Sequence, residues 1–525
     1  MIKPRCNARD LAAGEQELVM QGKADPDRHL LDAAAFCREL IEEGTIYAFL
    51  ADHRAELFKD EDFADLFPSR RGRPSTPAVL VCTVMVLQAL EGLSDRDAIR
   101  ALRTRIDWKV ACGLALDDPG FDFTVLTYWR TRLRQSSRPQ RIFDAVRTVV
   151  EATGVLTGKH RRALDSSILD DAVATQDTVT QLISAIRKVR RAVPEAALVE
   201  LSAASDDGGK PIIEWSDTVA RGELVTGLVH DAEAVLAAAQ ASPSAEAAAE
   251  VIGLLALIAG QDVEAGETDG TWRIARKVAK DRVISTVDVE ARHGHKSTAV
   301  RTDGFKAHLA TEPETGIITA LKVTAANVPD GPVGVELMGS EPDGLEVLAD
   351  SAYGSGATRS ALQKRHHRLV IKPLPSRPVV PGGFIRDDFS VDHARRAVTC
   401  PAGHVVRLTR GGIAKFAPHC ATCPLRSRCT KAKARSFSVS DHDAELVEAR
   451  AAWRDDGLRA GYRQHRPMAE RSISWLVAKG NRRLRYRGVE RNGAWAHQRV
   501  AALNLRKLVM FGLTRRDGNW VLANT

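Results

Sequence analysis

The alternation of short apolar segments with helical segments in the middle of the chain constrains the fold most. Strand-like segments at Phe305–Thr311 and Ile317–Thr324 flank the turn EPETG, which predicts a β-hairpin. A helix, a strand, a second helix and another strand follow at Val333–Gly339, Leu345–Ala349, about 357–365 and Arg368–Lys372. This order is compatible with an α/β fold in which the hairpin and the later strands share one sheet.

The chain before this core reads as helical from residue 30 to about 155. Thr76 can cap a helix that Gly92 ends, and Ser94 with Asp97 can cap the next one. A third helix, from Thr124, carries arginines at 130, 132 and 134. Two helices followed by an arginine-bearing helix are compatible with a helix-turn-helix-like DNA-binding module. An ordinary helical bundle with solubilising arginines is equally compatible.

Two further segments interrupt the α/β pattern. A short strand around Asp165 is followed by an alanine-rich helical stretch, which predicts a helical insertion over about 172–280. After the last strand, PLPSRPVVPGG marks a boundary and leads into a cysteine-bearing segment. Four of the eight cysteines lie there, at Cys400, Cys420, Cys423 and Cys429.

These four thiols include one C-x2-C pair, so they can form a tetrahedral structural Zn²⁺ site. His404 and His419 are available as substitute ligands. The alternative is a small loop that holds four reduced thiols. Eight cysteines in 525 residues are too few for a secreted disulfide scaffold, and no apolar run approaches the roughly 20 residues of a membrane span. We therefore expect a cytosolic protein.

Positive charge is concentrated at one end of the chain. Residues 401–525 hold 25 Lys and Arg against 9 Asp and Glu, whereas residues 1–400 hold 50 against 58. A basic C-terminal segment on a mildly acidic body favours a polyanionic partner, most plausibly nucleic acid. The stretch from Arg482 to Arg491 is the densest part, with five arginines and one tyrosine in ten positions. One interpretation is that these arginines contact phosphates, and the other is that they form a solvated surface.

Three carboxylates suit chemistry on a nucleic acid. Breaking or joining a phosphodiester needs charge stabilisation at both the attacking and the leaving oxygen, which two divalent metals held by clustered carboxylates can supply. Asp165 and Asp350 lie at predicted strand ends, and Glu470 lies on a predicted helix far downstream. A strand-end aspartate is also a common turn or cap residue, so spacing alone does not single out these three.

Four motifs together are far more specific. The segments are LDSSILDDAVATQDTVTQL, DGFKAHLATEPETGIITALKVTAANVPDG, VLADSAYGSG and YRQHRPMAERSISWLVAKGNRRLRYRG. In this order they resemble bacterial insertion-sequence transposases of the DDE superfamily, in particular the group numbered eleven-eighty-two. The resemblance extends from the helical N-terminal region to near the C-terminus and so covers most of the chain.

The resemblance implies an α/β fold with an RNase H-like catalytic core. An all-α domain (1–155) would precede the first part of the core (156–375, with the helical insertion). A small Cys-rich insertion (376–442) and C-terminal helices with the basic segment (443–525) would follow. It implies two Mg²⁺ or Mn²⁺ ions held by three carboxylates: Asp165 in LDSS, Asp350 in LADSAYG and Glu470 in RPMAERS. Zn²⁺ at the cysteines would be structural.

The resemblance also implies DNA contacts. Arg466 precedes Glu470 by one helical turn, so we expect both side chains on one face. Tyr462 and Lys479 depart from the family spacing by one and two positions, so their roles are open. The other predicted DNA contacts are Lys306, His308, Lys479, Arg482, Arg483, Arg485 and Arg487, although a strand-surface role fits Lys306 and His308 as well.

The expected activity is cleavage and strand transfer of an insertion sequence. Its partners would be terminal inverted repeats and target DNA, and the protein would work as a homodimer or higher oligomer on DNA. We expect no membrane association, and a place in the cytoplasm at the nucleoid. A non-catalytic DNA-binding derivative of a transposase and an RNase H-like nuclease are the alternatives.

Overall fold

The structure is a computed structural model that describes residues 21–22, 31–68, 74–205, 209–277, 279–295 and 301–523. Contacts divide the chain into two units. The first contains Met1–Val155 together with His497–Thr525, and the second contains Leu156–Ala496. We expected all of 443–525 to belong with the core; its last part instead groups with the N-terminal helices, because Arg499 donates to the backbone of Ala89 and Leu90.

The N-terminal part of the first unit is helical, as predicted. In the described residues its α-helices are α1 (Ala33–Cys37), α2 (Ile46–Leu57), α3 (Ala78–Glu91), α4 (Asp95–Thr104), α5 (Ile106–Cys112), α6 (Thr124–Gln135) and α7 (Arg141–Ala152). Helix α3 is apolar on almost every side and most of it is buried, which makes it the centre of this unit.

The predicted boundaries of α3 and α4 were partly right. Gly92 ends α3 in the left-handed conformation, with φ 70°, and Ser94 accepts a hydrogen bond from the Asp97 N–H at the start of α4. The predicted Thr76 cap is wrong, because Pro77 is extended and itself occupies the cap position before Ala78. Pro77 thus precedes the helix and does not form its first turn.

Two of the arginines on α6 are used for packing within the first unit. Arg130 forms an ion pair with Asp95 at 2.6 Å, and Arg132 stacks on the rings of Phe67 and Tyr128. These contacts favour the helical-bundle interpretation for Arg130 and Arg132. Among the described residues, no single helix is long and apolar enough to cross a membrane; α3 and α4 meet that criterion only as a pair bent by 110°.

The second unit is built on a mixed sheet. Its elements as far as the last strand of that sheet are β1 (Arg161–Asp170), α8 (Thr178–Ala192), α9 (Pro194–Ala197), α10 (Thr218–Gln240), α11 (Ala249–Gln261), β2 (Val263–Ala265), β3 (Trp272–Ile274), β4 (Arg292–His295), β5 (Arg301–Thr311), β6 (Ile318–Ala325), α12 (Asp330–Gly339), β7 (Glu346–Ala349), α13 (Gly356–Gln363) and β8 (Arg368–Ile371). The strand order is β4-β5-β1-β7-β8, and β6 also pairs with β5.

Strand directions divide this sheet into two parts. Strands β4, β6 and β1 all run antiparallel to β5, whereas β7 runs parallel to β1 and β8 runs parallel to β7. Helices α12 and α13 provide the crossovers that parallel strands require. The apolar core under this sheet includes Leu164, Val347, Met338 and Tyr353.

The predicted strands and helices of this region are confirmed to within a few residues, including the hairpin of β5 and β6. Strand β4 was not predicted. The strand around Asp165 is longer than expected, with ten residues, so Asp165 lies in its middle and not at its end. The reason is that β1 continues beside β5 as far as Asp170, well beyond its short pairing with β7.

The predicted helical insertion contains α8, α10 and α11, which pack around one apolar cluster that includes Leu182, Leu228 and Leu255. The strands β2 and β3 add a small hairpin there.

The cysteine-bearing segment that follows β8 has its own small core around Phe389, Phe416 and Phe437. Its elements are β9 (Ser390–Asp392), β10 (Ala397–Thr399), β11 (Val405–Arg407), β12 (Ile413–Lys415), α14 (Ala417–Cys420), α15 (Arg426–Cys429) and β13 (Ser436–Ser438).

The rest of the chain is mainly helical, as predicted. It contains α16 (Asp443–Ala452), α17 (Asp456–His465), α18 (Pro467–Val477) and α19 (Val489–Met510), then the unpredicted hairpin of β14 (Leu513–Arg516) and β15 (Asn519–Leu522). The boundary between the two units falls within α19.

Candidate active site

Strand pairing places Asp165 and Asp350 beside each other. The parallel pairing of β1 and β7 ends at Ala163 and Leu348. Continuing that register by two residues brings Asp165 on β1 level with Asp350, which directly follows β7. Both side chains are half-buried. The rigid centre of the sheet therefore fixes the two aspartates that the sequence predicted as a pair.

A third segment reaches the same place. Arg466 lies between α17 and α18, and its guanidinium contacts both oxygens of Asp165, with Nη2 to Oδ1 at 2.9 Å and Nη1 to Oδ2 at 3.3 Å. Only 6% of the Arg466 side chain and 15% of the Asp165 side chain are exposed. One charge-assisted hydrogen bond, from Nη1 to Oδ2, and a second close ion-pair contact thus join the two groups.

Asp330 is a carboxylate in this neighbourhood that sequence reasoning missed. It begins α12, and its Oδ1 accepts a hydrogen bond from Nζ of Lys306 at 2.9 Å. Lys306 also donates to the Val328 carbonyl at 2.9 Å. The signal in the sequence was the acidic residue at the start of a predicted helix, directly after NVP. That pattern is common at helix N-termini, so it did not stand out.

His308 lies beneath this pair, fully buried, with Nε2 at 3.0 Å from the Thr324 hydroxyl and Nδ1 at 3.6 Å from Asp330. Burial lowers the pKa of His308 below its usual value, and the nearby Asp330 carboxylate opposes this only in part. The prediction that Lys306 and His308 contact DNA does not agree with this placement. One side chain is engaged by Asp330 and the other is inside the protein.

The three aspartates influence the same groups. Burial raises the pKa of Asp350, the Ala352 N–H and Arg466 oppose the rise, and the charges of Asp165 and Asp330 add to it. Burial also raises the pKa of Tyr353 well above its usual value, and the charges of Asp330, Asp165 and Asp350 act in the same direction. Asp165, Asp330 and Asp350 therefore form an acidic centre whose charges act on Tyr353, and Arg466 partly neutralises it.

Glu470 lies at the edge of this centre, on the first turn of α18, and is exposed. We expected it to share a face and an environment with Arg466, but Arg466 is buried, because its guanidinium is drawn onto Asp165. Tyr462 interacts with both Arg466 and Glu470. Burial raises its pKa, and it interacts electrostatically with Arg466, Asp350 and Glu470. Lys479 follows α18 in a left-handed conformation, with φ 59°, and is exposed.

The basic segment after α18 is attached to β1. The Asp170 N–H donates to the Arg482 carbonyl, and the Leu484 N–H donates to the Asp170 carbonyl, both at 2.9 Å. Leu484 is buried, whereas the predicted DNA-contacting arginines on either side of it are exposed: Arg482, Arg483, Arg485 and Arg487. The segment is therefore attached to β1 at Asp170, five residues after Asp165, and it exposes four arginines there.

The four cysteines Cys400, Cys420, Cys423 and Cys429 line one cavity, together with His404 and His419. Burial raises the pKa of the Cys429 thiol, Arg435 opposes this, and the other three thiols add to the rise. The rings of His404 and His419 stack at 4.5 Å, and Cys420 Sγ accepts a hydrogen bond from the Arg435 N–H at 3.5 Å. Folding thus brings together every ligand that the sequence proposed for zinc.

Neither cluster has its side chains arranged as a complete metal site. Within the described ranges, no three or more His, Cys, Asp or Glu side chains form a group that would hold a metal ion as they stand. At the acidic centre, a guanidinium contacts both oxygens of Asp165, and Glu470 is exposed. Binding of a cation at either place requires side chains to turn toward it.

Comparison with known families identifies two regions of the chain. Residues 36–132 match a family described as a transposase domain (DUF772), and residues 399–509 match a family described as a transposase DDE domain. The chain is a DDE transposase of the insertion-sequence type. No curated protein and no solved structure matches it.

The match to the DDE domain contains residues beside the acidic centre of the transposase but none of its three aspartates. It includes the cysteines, Arg466, Glu470 and the basic segment, while Asp165, Asp330 and Asp350 lie outside the matched residues. The strand register is what connects these aspartates to the matched region, through Arg466. As a transposase, the protein has DNA as its partner.

Proposed function

We propose that the second unit is an RNase H-like core in which Asp165, Asp350 and Glu470 hold two Mg²⁺ or Mn²⁺ ions for DNA cleavage and strand transfer. The observation that carries the proposal is that segments some 300 residues apart converge at the centre of one sheet. Three antiparallel strands followed by two parallel ones, in the order β6-β5-β1-β7-β8, support the fold assignment.

The donor set suits these ions, because carboxylate oxygens are the ligands that Mg²⁺ and Mn²⁺ prefer. When bound, a pair of such ions activates the attacking oxygen and stabilises the leaving oxygen of a phosphodiester. Asp165 and Asp350 would hold the ions on the rigid sheet, and the exposed Glu470 would turn inward from α18. Tyr353 and Lys306 would shape this site without contacting the reacting atoms.

The exposed arginines at 482, 483, 485 and 487 would neutralise phosphates of the bound DNA. Their support is their exposure and their attachment to β1. Membership of the eleven-eighty-two group, action on terminal inverted repeats and target DNA, assembly as a dimer or larger oligomer, and a location at the nucleoid belong to the same proposal.

The test is cleavage of a labelled duplex carrying the ends of the element. Asp350→Ala is expected to abolish Mg²⁺-dependent strand cleavage, by at least a thousandfold, while it leaves binding to the element's ends in place. Asp343→Ala is the matched control, since Asp343 lies just before β7, at the end of the strand away from Asp350, is 59% exposed and forms an ion pair with Arg365. Strand cleavage by folded Asp350→Ala at the control rate would overturn the assignment.

The same assay separates the alternative functions. A non-catalytic derivative would bind the duplex and leave it intact in both Mg²⁺ and Mn²⁺. A nuclease without transposition would cut the duplex but would not join the freed 3′ end to a second DNA.

We propose further that Cys400, Cys420, Cys423 and Cys429 bind one structural Zn²⁺. Four thiols lining one cavity provide a full tetrahedral donor set, which suits a structural ion. The expected result is one zinc per chain after dialysis, measured by mass spectrometry, and its loss in Cys423→Ser. Cys112→Ser is the control, because Cys112 is a buried cysteine of the first unit. Folded protein without zinc would exclude the proposal.

A further inference from the structure

The feature that the proposed function leaves unexplained is the partner of Asp165. Arg466 contacts both of its oxygens, although Asp165 is the first carboxylate proposed to hold a metal ion. A carboxylate offers about four lone-pair sites, and the guanidinium lies against both oxygens, with one hydrogen bond to Oδ2 and one ion-pair contact to Oδ1. The remaining sites then face a positive charge at close range, which disfavours a second cation.

The position of Arg466 is well fixed at its backbone. Its N–H donates to the Tyr462 carbonyl at 2.9 Å, and Pro467 begins the next helix directly after it. The side chain, by contrast, is held mainly by Asp165, and its Nε is buried without a hydrogen-bond partner. A movement of the guanidinium therefore leaves the helix junction in place and breaks the contact with Asp165.

We infer that Arg466 is a displaceable counter-ion of Asp165, which a divalent cation replaces when it binds. This inference rests on the proposed function, because it takes Asp165 as a metal ligand. It assigns Arg466 a role other than the DNA contact expected from the sequence. Arg466 keeps the acidic centre compensated in the absence of a cation, and it lowers the affinity of Asp165 for one.

The consequence is a link between the charge at position 466 and metal affinity. Arg466→Gln removes the positive charge and leaves a shorter, neutral polar side chain, so Asp165 loses its competitor. We expect this variant to bind Mn²⁺ about tenfold more tightly than the wild type. Arg466→Lys retains the charge but loses one arm of the fork, so its affinity should fall between the two.

The experiment is Mn²⁺ titration of the full-length protein without DNA, followed by electron paramagnetic resonance of the free ion. This readout does not depend on catalytic activity. Affinity in folded Arg466→Gln that equals or falls below that of the wild type would overturn the inference. Arg471→Gln is the matched control, because Arg471 lies on α18 beside Glu470 and is exposed.

Asp165→Asn separates failure of this inference from failure of the proposed function. If Asp165→Asn binds Mn²⁺ as well as the wild type, Asp165 is not a metal ligand and the proposed function fails. If Asp165→Asn loses binding but Arg466→Gln gains none, only the role of Arg466 fails.

A second measurement covers the case in which Arg466→Gln is unstable on its own. The variant leaves Asp165 without its compensating charge, and Mn²⁺ would supply one. Mn²⁺ should therefore raise the melting temperature of Arg466→Gln by several degrees more than that of the wild type. An equal shift in the two proteins would overturn the inference.

Discussion

Asp171 offers a test of the electrostatics beside β1 that does not depend on catalysis. It directly follows the strand, it is 7% exposed, and it interacts with Asp288, which is 3% exposed. Burial raises the pKa of Asp171 to about 6, and the charge of Asp288 adds to the rise. Asp288 accepts a hydrogen bond from the Gly488 N–H at 2.9 Å.

The sign follows from the raised pKa. Between about pH 4 and pH 6 the folded protein keeps a proton on Asp171 that the unfolded chain releases, so stability falls as the pH rises through this window. Above pH 6 the protein bears the whole loss of stability that comes from ionising the buried Asp171. A shift of about two pKa units corresponds to roughly 3 kcal/mol. Asp171→Asn removes the charge, and its amide is able to donate to Asp288.

We therefore expect Asp171→Asn to be more stable than the wild type at pH 7.5, by about 1–3 kcal/mol, and equally stable near pH 4. In a thermal melt the difference at pH 7.5 would be about 2–6 °C. Differential scanning calorimetry from pH 4 to pH 8 measures it directly. Asp269→Asn, in an exposed turn, is the control and should change little at any pH.

Two results would refute this reasoning. One is an Asp171→Asn protein that is no more stable than the wild type at pH 7.5. The other is a gain in stability that stays the same from pH 4 to pH 8, because a gain of that kind comes from packing and not from titration of a carboxyl group.

Two further predictions concern other charged groups of the second unit. Glu341→Gln should destabilise the protein by about 3–5 kcal/mol. The reason is that Arg162, which is 2.7 Å from Glu341 and only 4% exposed, would keep a buried charge without its partner. Calorimetry measures the loss, with Glu336→Gln at an exposed position as the control. Arg483→Gln with Arg485→Gln should weaken DNA binding equally for all sequences and reduce the log–log salt slope by about 2. Fluorescence anisotropy at several salt concentrations measures it, with the exposed Arg410→Gln as control, and an unchanged slope would exclude phosphate contacts there.

The sequence was sufficient to predict the elements that local pattern controls. The hairpin of β5 and β6 has turn residues between two alternating strands, and β7 is a short apolar run that ends at an aspartate. Such signals depend on neighbours along the chain, so they survive without knowledge of the fold. Strand β4 carries no comparable signal, because it is a four-residue segment that contains glycine and two histidines.

The site was predicted less completely, because burial depends on what packs against a strand. Lys306 and His308 alternate correctly for one face of β5, yet the sequence does not tell which face α12 covers. The helix start at Asp330 covers this face, so Lys306 pairs with Asp330 and His308 is enclosed. Arg466 was predicted on the same helix face as Glu470, whereas it lies between α17 and α18; its contact with Asp165 spans 301 positions of sequence and left no local trace.

The attachment of the basic segment to β1 connects the proposed cleavage site at Asp165 with the proposed DNA-binding arginines. Asp170 pairs with the Arg482–Leu484 backbone five residues after Asp165 on the same strand. At about 3.3 Å per residue, the separation along the strand is roughly 17 Å. Along the axis of B-DNA, where each strand carries one phosphate per about 3.4 Å, a length of about 17 Å corresponds to about five base pairs. One continuous strand, β1, carries both Asp165 and the attachment point of the basic segment. We therefore expect the contacts of the exposed arginines to keep a fixed distance from the phosphate that is cut. A DNA end with fewer than about five nucleotides beyond that phosphate should lose these contacts.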